Sequence, residues 1–394
     1  MPSPSHPRVY LAVGLSLVLL ILILILRHDT DSSSFTFTKQ YSHSKDSSNS
    51  GIANDTLGFE KIFVINGPWR TDRKDSLALA ASYSGISLDW IDGIQADDIA
   101  EKAYPPGKHR ELSKGNRGSW RAHMNALREV IEQNLTTALI LEDDADWDFR
   151  IRTQLSDFSH AARELPDLVA QAELHAEKHT SNDERLSQVQ LAKRSSLPFS
   201  GRRIPKQDPY GRDWQVLWLG HCGAALPPAS PSSPNRIMIS DDSTVPEPQY
   251  LKPMTNANPD PFGSLYPSHT RLVHRANTTL CTIAYAVTQA GARRILYEFA
   301  IRELVKGYDF ALSDYCNGLT RGATKATMPL CITVQPPLFS HHFSERGVSD
   351  IMAPGKGGKA PEGTRYIKWS VRMNLERLVK GEDGIIEQWP DTVE

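Results

Sequence analysis

Net charge is almost absent from this sequence. Its 44 Lys and Arg against 46 Asp and Glu leave a formal −2, so nothing points to nucleic acid or to an electrostatically held membrane surface. Cysteine is scarce too: Cys222, Cys281, Cys316 and Cys331 are the only four. No two have CxxC spacing, which argues against a metal site built from them. All four fall in the part of the chain that an oxidising lumen would allow to form disulfides. Four cysteines allow three pairings, and sequence does not choose among them; buried free thiols are the alternative. The apolar run Val9 to Leu26 is followed by Arg27-His28-Asp29, with no small-x-small cleavage site.

That run is longer than the ~7–15 residues of a signal-peptide core. At 1.5 Å per residue it measures roughly 27 Å, enough for a thin bilayer. The expectation is a cytoplasmic tail at 1–8, a signal anchor at 9–26 and a lumenal body, since the amino terminus and Arg8 precede the span. This describes a single-pass type II protein of the Golgi or endoplasmic reticulum membrane. Three sequons agree, at Asn54, Asn134 and Asn277. Residues 27–58 are Ser-rich without apolar periodicity and read as a stem that cannot offset its ordering entropy. Residues 59–394 read as one α/β domain with insertions near 176–212 and 226–266, the second rich in Pro, Ser and Asn.

The densest chemical signal is Thr137-Ala-Leu-Ile-Leu-Glu142-Asp143-Asp144-Ala145-Asp146. A short apolar run reads as a buried strand. Four carboxylates crowded at its end repel one another unless something neutralises them. A hard divalent cation, Mg²⁺ or Mn²⁺, would do so by bridging one or two carboxylates to substrate phosphates. A solvated acidic turn is the alternative. Ligands of open α/β sheets lie beyond the carboxyl ends of the strands, where this cluster falls.

Lys61 to Asn66 reads as the opening strand, with a helix from Thr71-Asp72 capped by Asp72 and ending at Gly85. Leu88 to Ile91 reads as a second strand, followed by Asp92-Gly93, giving a βαβ unit. Asn66, Arg70 and Arg73 then gather at the first strand's carboxyl end, where arginine contacts a phosphate or lies on a solvated helix face. Ser119 is a candidate cap for a helix whose Trp120, Met124, Leu127 and Ile131 share a face. His123 sits one residue off that face and reads as a buried core histidine sooner than a catalytic one. Further strands are expected at Trp214–Gly220 and Thr282–Val287, and a helix from Gly291. Asp309 and Asp314 are candidates for a base that deprotonates a sugar hydroxyl, or for helix caps. The strand from Val334 ends in His341-His342, possible metal ligands of which at most one faces a site, because neighbours in extended chain point oppositely.

These residues, in this order, resemble glycosyltransferase family 25, the lipopolysaccharide-biosynthesis type that includes collagen galactosyltransferases. The resemblance runs through Ile62 to Asn66 with Arg70-Thr71-Asp72-Arg73, Ile91-Asp92-Gly93, Gly118-x4-His123 and Leu139 to Asp144. It continues through Trp218-Leu219-Gly220, Ala284 to Val287 with Gly291-Ala292, and Pro336-Pro337, and so covers roughly 59 to 345. It implies a GT-A-like, Rossmann-like mixed sheet flanked by helices and an inverting, metal-assisted transfer of galactose or glucose from a UDP-sugar to a glycan or glycoprotein. On this basis Asp144 and Asp146 are the metal-side residues, with Glu142 and Asp143 as second candidates, while His341 and His342 join them on residue type alone. Asn66, Arg70, Arg73, Asp92, His123, Glu142 and Asp143 are the donor-side residues, and Asp309 or Asp314 is the base. The sequence departs from the family pattern at Ser119, where cysteine is common, and at Gly67. A lumenal binding or scaffold protein of the same fold without turnover is the second reading. A metal-dependent hydrolase is the third.

Overall fold

The computed structural model describes residues 51–176, 187–201, 207–229, 233–251, 262–344 and 362–392. The expected anchor at 9–26 lies outside the described residues, and among these no helix is long and apolar enough to cross a membrane. β1 (Lys61–Asn66) carries β-branched and aromatic side chains on both faces and is buried on both. α1 (Thr71–Ser84) links it to β2 (Asp89–Asp92), and α2 (Lys114–Glu132) leads into β3 (Thr137–Glu142). β2 and β3 both run parallel to β1, one on each side.

After the acidic turn come β4 (Ala145–Trp147), α3 (Ile151–Ala176), α4 (Gln188–Arg194), β5 (Ser196–Pro198), β6 (Val216–Gly220) and β7 (Arg236–Ile239). The chain continues through α5 (Phe262–Leu265), β8 (Arg271–Arg275), β9 (Ala284–Thr288) and α6 (Gln289–Leu296). A π-helical turn, Tyr297–Arg302, and α7 (Tyr308–Cys316) precede β10 (Cys331–Gln335), β11 (Phe339–Phe343), β12 (Gly363–Thr364) and α8 (Leu375–Lys380). The sheet runs β2-β1-β3-β9-β6-β10-β8-β7-β5 and is mixed, with β9 antiparallel to both β3 and β6. β11 pairs with β4, β6 and β12 beside the acidic turn.

The alternation of side chains along each strand divides the core in two. Ile62, Val64, Leu139 and Leu141 pack with Leu77 of α1 and Leu155, Phe158 and Leu165 of α3. Phe63, Ala138 and Ile140 pack with Trp120, Met124 and Leu127 of α2, Ile295 of α6 and Leu312 of α7. Both faces of the sheet are therefore covered by helices, which accounts for strands that read as continuous apolar runs.

Several expectations change. The folded body starts before Phe59, because Ile52 and Leu57 are fully buried in the first core and Tyr210 donates to the Leu57 carbonyl. α1 has Arg70 at its cap position with no side-chain cap; Asp72 lies in the first turn, paired with Arg70. There its charge meets the positive end of the helix dipole. α2 begins at Lys114, with Ser113 accepting from the Asn116 N–H, so Ser119 is inside the helix. Gly118 lets α2 approach the preceding loop: a Cβ there would stand 2.4 Å from the Ile94 carbonyl oxygen. The region 226–266 is not all loop, since β7 pairs with β8 and β5 at the far edge of the sheet. The strand expected from Val334 to His342 is two strands, divided at Pro336-Pro337 where no N–H is available for a ladder. The cysteines pair as Cys222–Cys281 and Cys316–Cys331.

Candidate functional site at the carboxyl ends of β1 and β3

The connections from β1 leave to β2 on one side and return through β3 on the other. This reversal is the topological switch point at which α/β sheets bind ligands. Asn66 ends β1 and Glu142 ends β3. Between β3 and β4, Asp143 and Asp144 turn the chain so that β4 pairs antiparallel with β11, setting Ala145 opposite His341 and Asp146 opposite Ser340.

Asp143 and Asp144 are buried side by side. Asn66 Nδ2 donates to Asp143 Oδ2 at 2.8 Å. Arg73 Nη1 reaches Asp143 Oδ1 at 2.7 Å and Asp144 Oδ2 at 2.8 Å. His341 Nε2 lies 3.1 Å from Asp144 Oδ2. Burial and the neighbouring Asp144 charge push Asp143 above the ordinary carboxylate range, against Arg73 and Asn66. Burial also works against the Asp144 charge, but His341 and Arg73 outweigh it and hold Asp144 far below that range. For His341 burial favours the neutral ring, and the Asp144 carboxylate reverses this and raises it. The pair thus holds one firmly ionised and one reluctant carboxylate, as expected of like charges in one site. Asp144 Oδ1 is buried with no hydrogen-bond partner among the described residues.

A second group lies beside it. Glu142 Oε1 accepts from Thr282 Oγ1 at 2.7 Å and lies 3.6 Å from His123 Nε2. The buried His123 ring stacks on Tyr308 at 4.2 Å, and its Nδ1 lies 3.1 Å from the Tyr285 hydroxyl. Tyr308 donates to Tyr285 at 2.9 Å. Asp309, the next residue, accepts from the Phe310 and Cys281 backbone N–H groups at 2.8 and 3.3 Å. Burial pushes Asp309 up; those two hydrogen bonds and His123 pull the other way, and Glu142 adds to the rise. The Cys222–Cys281 disulfide anchors the segment that supplies both the Thr282 hydroxyl and the Cys281 N–H.

Asp146 and His342 face away from this opening. Asp146 is fully buried and accepts from Thr364 Oγ1 (2.5 Å), Ser370 Oγ, and the Trp147 and Arg372 N–H groups at 2.8 and 3.1 Å. Both oxygens are used, so the expected metal-side role is replaced by a structural anchor. His342 Nδ1 lies 3.0 Å from Thr364 Oγ1, and burial pushes the ring down to about 4. Arg372 donates to the Asp143 and Ala145 carbonyls at 3.0 and 3.3 Å, which fixes the acidic turn from below.

Of the remaining expected residues, Asp92 is exposed at the end of β2, opposite Asn66 in register. Arg70 pairs with Asp72 at 2.7 Å. Asp314 lies in the second half of α7, ion-paired with Lys306, and does not join the Glu142–Asp309 group. Sequence reading missed Thr282, Tyr285, Tyr308, Thr364, Ser370 and Arg372. Tyr285 lies inside an apolar strand and looks like core, while the last three follow no motif.

Among the described residues no three His, Cys, Asp or Glu side chains stand close enough to hold a metal by themselves. The unpartnered Asp144 Oδ1 nevertheless fits a hard cation that takes one or two carboxylates and completes its shell with phosphate and water. Asp144 would hold it, with Glu142, Asp143 and His341 as its neighbours.

Residues 59–309 match the family described as Glycosyltransferase family 25 (LPS biosynthesis protein). The chain belongs to glycosyltransferase family 25. It is similar to procollagen galactosyltransferase 2 of Homo sapiens, 27% identical over 132 residues, covering 30% of this chain and 20% of that protein. Procollagen galactosyltransferase 1-A of Xenopus laevis is 25% identical over 118 residues, covering 27% and 19%. Inactive glycosyltransferase 25 family member 3 of Homo sapiens is 27% identical over 111 residues, covering 25% and 19%. The chain spans about a fifth of the length of the curated relatives it matches. His341 and the Thr364–Arg372 segment lie beyond the family-matched stretch.

Proposed function

We propose that this chain is a glycosyltransferase that moves a hexose, galactose or glucose, from a UDP-sugar to a hydroxyl of a glycan or glycoprotein with inversion. The observation that carries the reading is the buried, unpartnered Asp144 Oδ1 at the switch point of the sheet. A divalent ion bound there would neutralise charge developing on the departing diphosphate. Asn66 and Arg73 hold Asp143 and Asp144 in place, and Arg73 also supplies a fixed cation near the phosphates. Asp309 takes the proton of the acceptor hydroxyl. The acceptor oxygen bonds to the anomeric carbon from the face opposite the diphosphate, the carbon–oxygen bond to UDP breaks, and UDP leaves with the electron pair. Positioning and fixed charge contribute most of the acceleration. His123, stacked on Tyr308 and close to Glu142, orders the wall between the donor and Asp309.

Two disulfides and three sequons support a lumenal body in the Golgi or endoplasmic reticulum, with the apolar run 9–26 as the proposed anchor. The relatives' names make galactose the first sugar to try and procollagen the first acceptor. A second reading, a binding module without turnover, draws on Arg73 spanning both carboxylates and on relatives named as inactive. Galactose transfer from UDP-galactose with Mn²⁺ separates the two readings. Asp144→Ala is expected to lower it at least 100-fold while the thermal unfolding transition is retained. Unchanged turnover in a folded Asp144→Ala protein would remove the proposal.

A further inference from the structure

Trp69 stands at the mouth of the site with no role in the account above. It lies three residues past Asn66, in the turn closed by the Arg70 N–H donating to the Gly67 carbonyl at 2.7 Å. Large apolar side chains of this fold are mostly buried, but Trp69 is 46% exposed. Its ring lies close against Gly67: a Cβ built on Gly67 would stand 2.8 Å from Cε2 and 2.9 Å from Cζ2. Gly93, just past β2, packs on Gly67 in turn: an added Cβ there would come within 3.1 Å of the Gly67 Cα. The Gly93 N–H donates to the Asn66 carbonyl at 2.7 Å. Gly67, without a side chain, thus seats the indole, and Gly93 lets the end of β2 come up against Gly67 from its own side.

The direction of a bound nucleotide follows from the sheet. Phosphates belong beside Asn66, Arg73 and Asp144, at the β1/β3 crevice. In doubly wound sheets the nucleoside then extends towards the strand on the other side of β1, where an acidic residue at that strand's end meets the ribose. Here that strand is β2 and the acidic residue is Asp92, exposed and in register with Asn66. Trp69 lies on the loop from β1 to α1, whose Gly67 meets Gly93 just past the end of β2.

We infer that Trp69 is a stacking platform for the nucleobase of the donor, seated on Gly67. This rests on the UDP-sugar reading given above. A base stacked on an aromatic side chain gains contact area irrespective of its hydrogen-bonding edge. The platform therefore strengthens nucleotide binding generally, and the choice of base belongs to other groups.

The test is calorimetric titration of the full chain, purified in detergent, with UDP and with inorganic pyrophosphate, each with Mn²⁺. Trp69→Ala is expected to weaken UDP binding roughly 5- to 100-fold and to leave pyrophosphate binding within about twofold. Trp69→Phe is expected to recover most of the loss. Gly67→Ala, which displaces the ring without removing it, is expected to weaken UDP in the same direction. Equal losses for UDP and pyrophosphate, or no loss for either, would overturn the platform while leaving the transferase reading intact. Failure of the wild-type chain to bind UDP at all would remove that reading and the platform with it.

Discussion

At the scale of single residues the site depends on neighbouring carboxylates held in different states. Asp144 is kept ionised by His341 and Arg73, Asp143 is raised by burial and by Asp144, and Asp309 is raised by burial. The Asp309 shift gives a pH dependence with a definite sign. A base works in its charged form, which exists above its folded pKa and is lost as pH falls through it. The acid limb of kcat/KM is therefore expected above the ordinary carboxylate range of about 4. Asp309→Asn is expected to remove that limb and to lower kcat by about 10²- to 10⁴-fold. A variant that keeps both the limb and the rate would assign the base elsewhere. The sequence put Asn66 and Arg73 at the end of β1 and the acidic run at the end of β3, because a strand end, a helix first turn and a run of carboxylates are local signals; that Arg73 spans Asp143 and Asp144 came only from the fold. It did not separate Asp309 from Asp314, since both lie in α7 and only its packing directs Asp309 to Cys281 and leaves Asp314 to Lys306. Nor did it separate Asp144 from Asp146: their partners come from β11 in one case and from the C-terminal segment in the other.

At the scale of elements, β1, β3 and β9 were legible as short apolar runs and the buried face of α2 from its periodicity. What escaped was set by tertiary contact. β7 lies in a stretch rich in Pro, Ser and Asn, and it is a strand because β8 and β5 flank it. The start of α2 was misplaced because Gly115 and Gly118 resemble a loop, although Gly118 is needed for the approach to Ile94. α3 carries a cost of its own. Its Asp157 is pushed up to about 6 by burial and by the charge of Asp242, against Arg271. The folded state holds this proton more tightly than the unfolded chain does. Its contribution to stability is therefore present at low pH and lost as pH rises from about 4 to 6. Asp157→Asn is expected to stabilise the protein at pH 7 by about 1–3 kcal/mol, and to give no gain at pH 4. Urea unfolding midpoints at the two pH values measure this; a loss of stability at pH 7 would contradict it.

At the scale of the whole molecule, the acidic turn is completed by residues remote in sequence. Thr364 and Ser370 reach Asp146 from 218 and 224 residues away, and Arg372 grips the carbonyls on either side of Asp144. A buried charge stripped of its donors is costly. The double variant Thr364→Val, Ser370→Ala is expected to lose roughly 2–5 kcal/mol in urea unfolding and to lower transfer with it. Stability within about 0.5 kcal/mol of wild type would show that the clasp is dispensable. No sequence signal pointed to this clasp, because a single serine, threonine or arginine in an irregular segment carries no periodicity.

The central claim is that Asp144 serves a metal-assisted UDP-sugar site. Its most direct test is calorimetric titration of the full chain with UDP-galactose, UDP-glucose and GDP-mannose, in Mn²⁺ and in EDTA, for wild type and Asp144→Ala. The account gives binding of a UDP-sugar by the wild type in Mn²⁺, loss of it in EDTA, and loss of it in the variant. Equal binding in EDTA, or binding undiminished by Asp144→Ala, would contradict it.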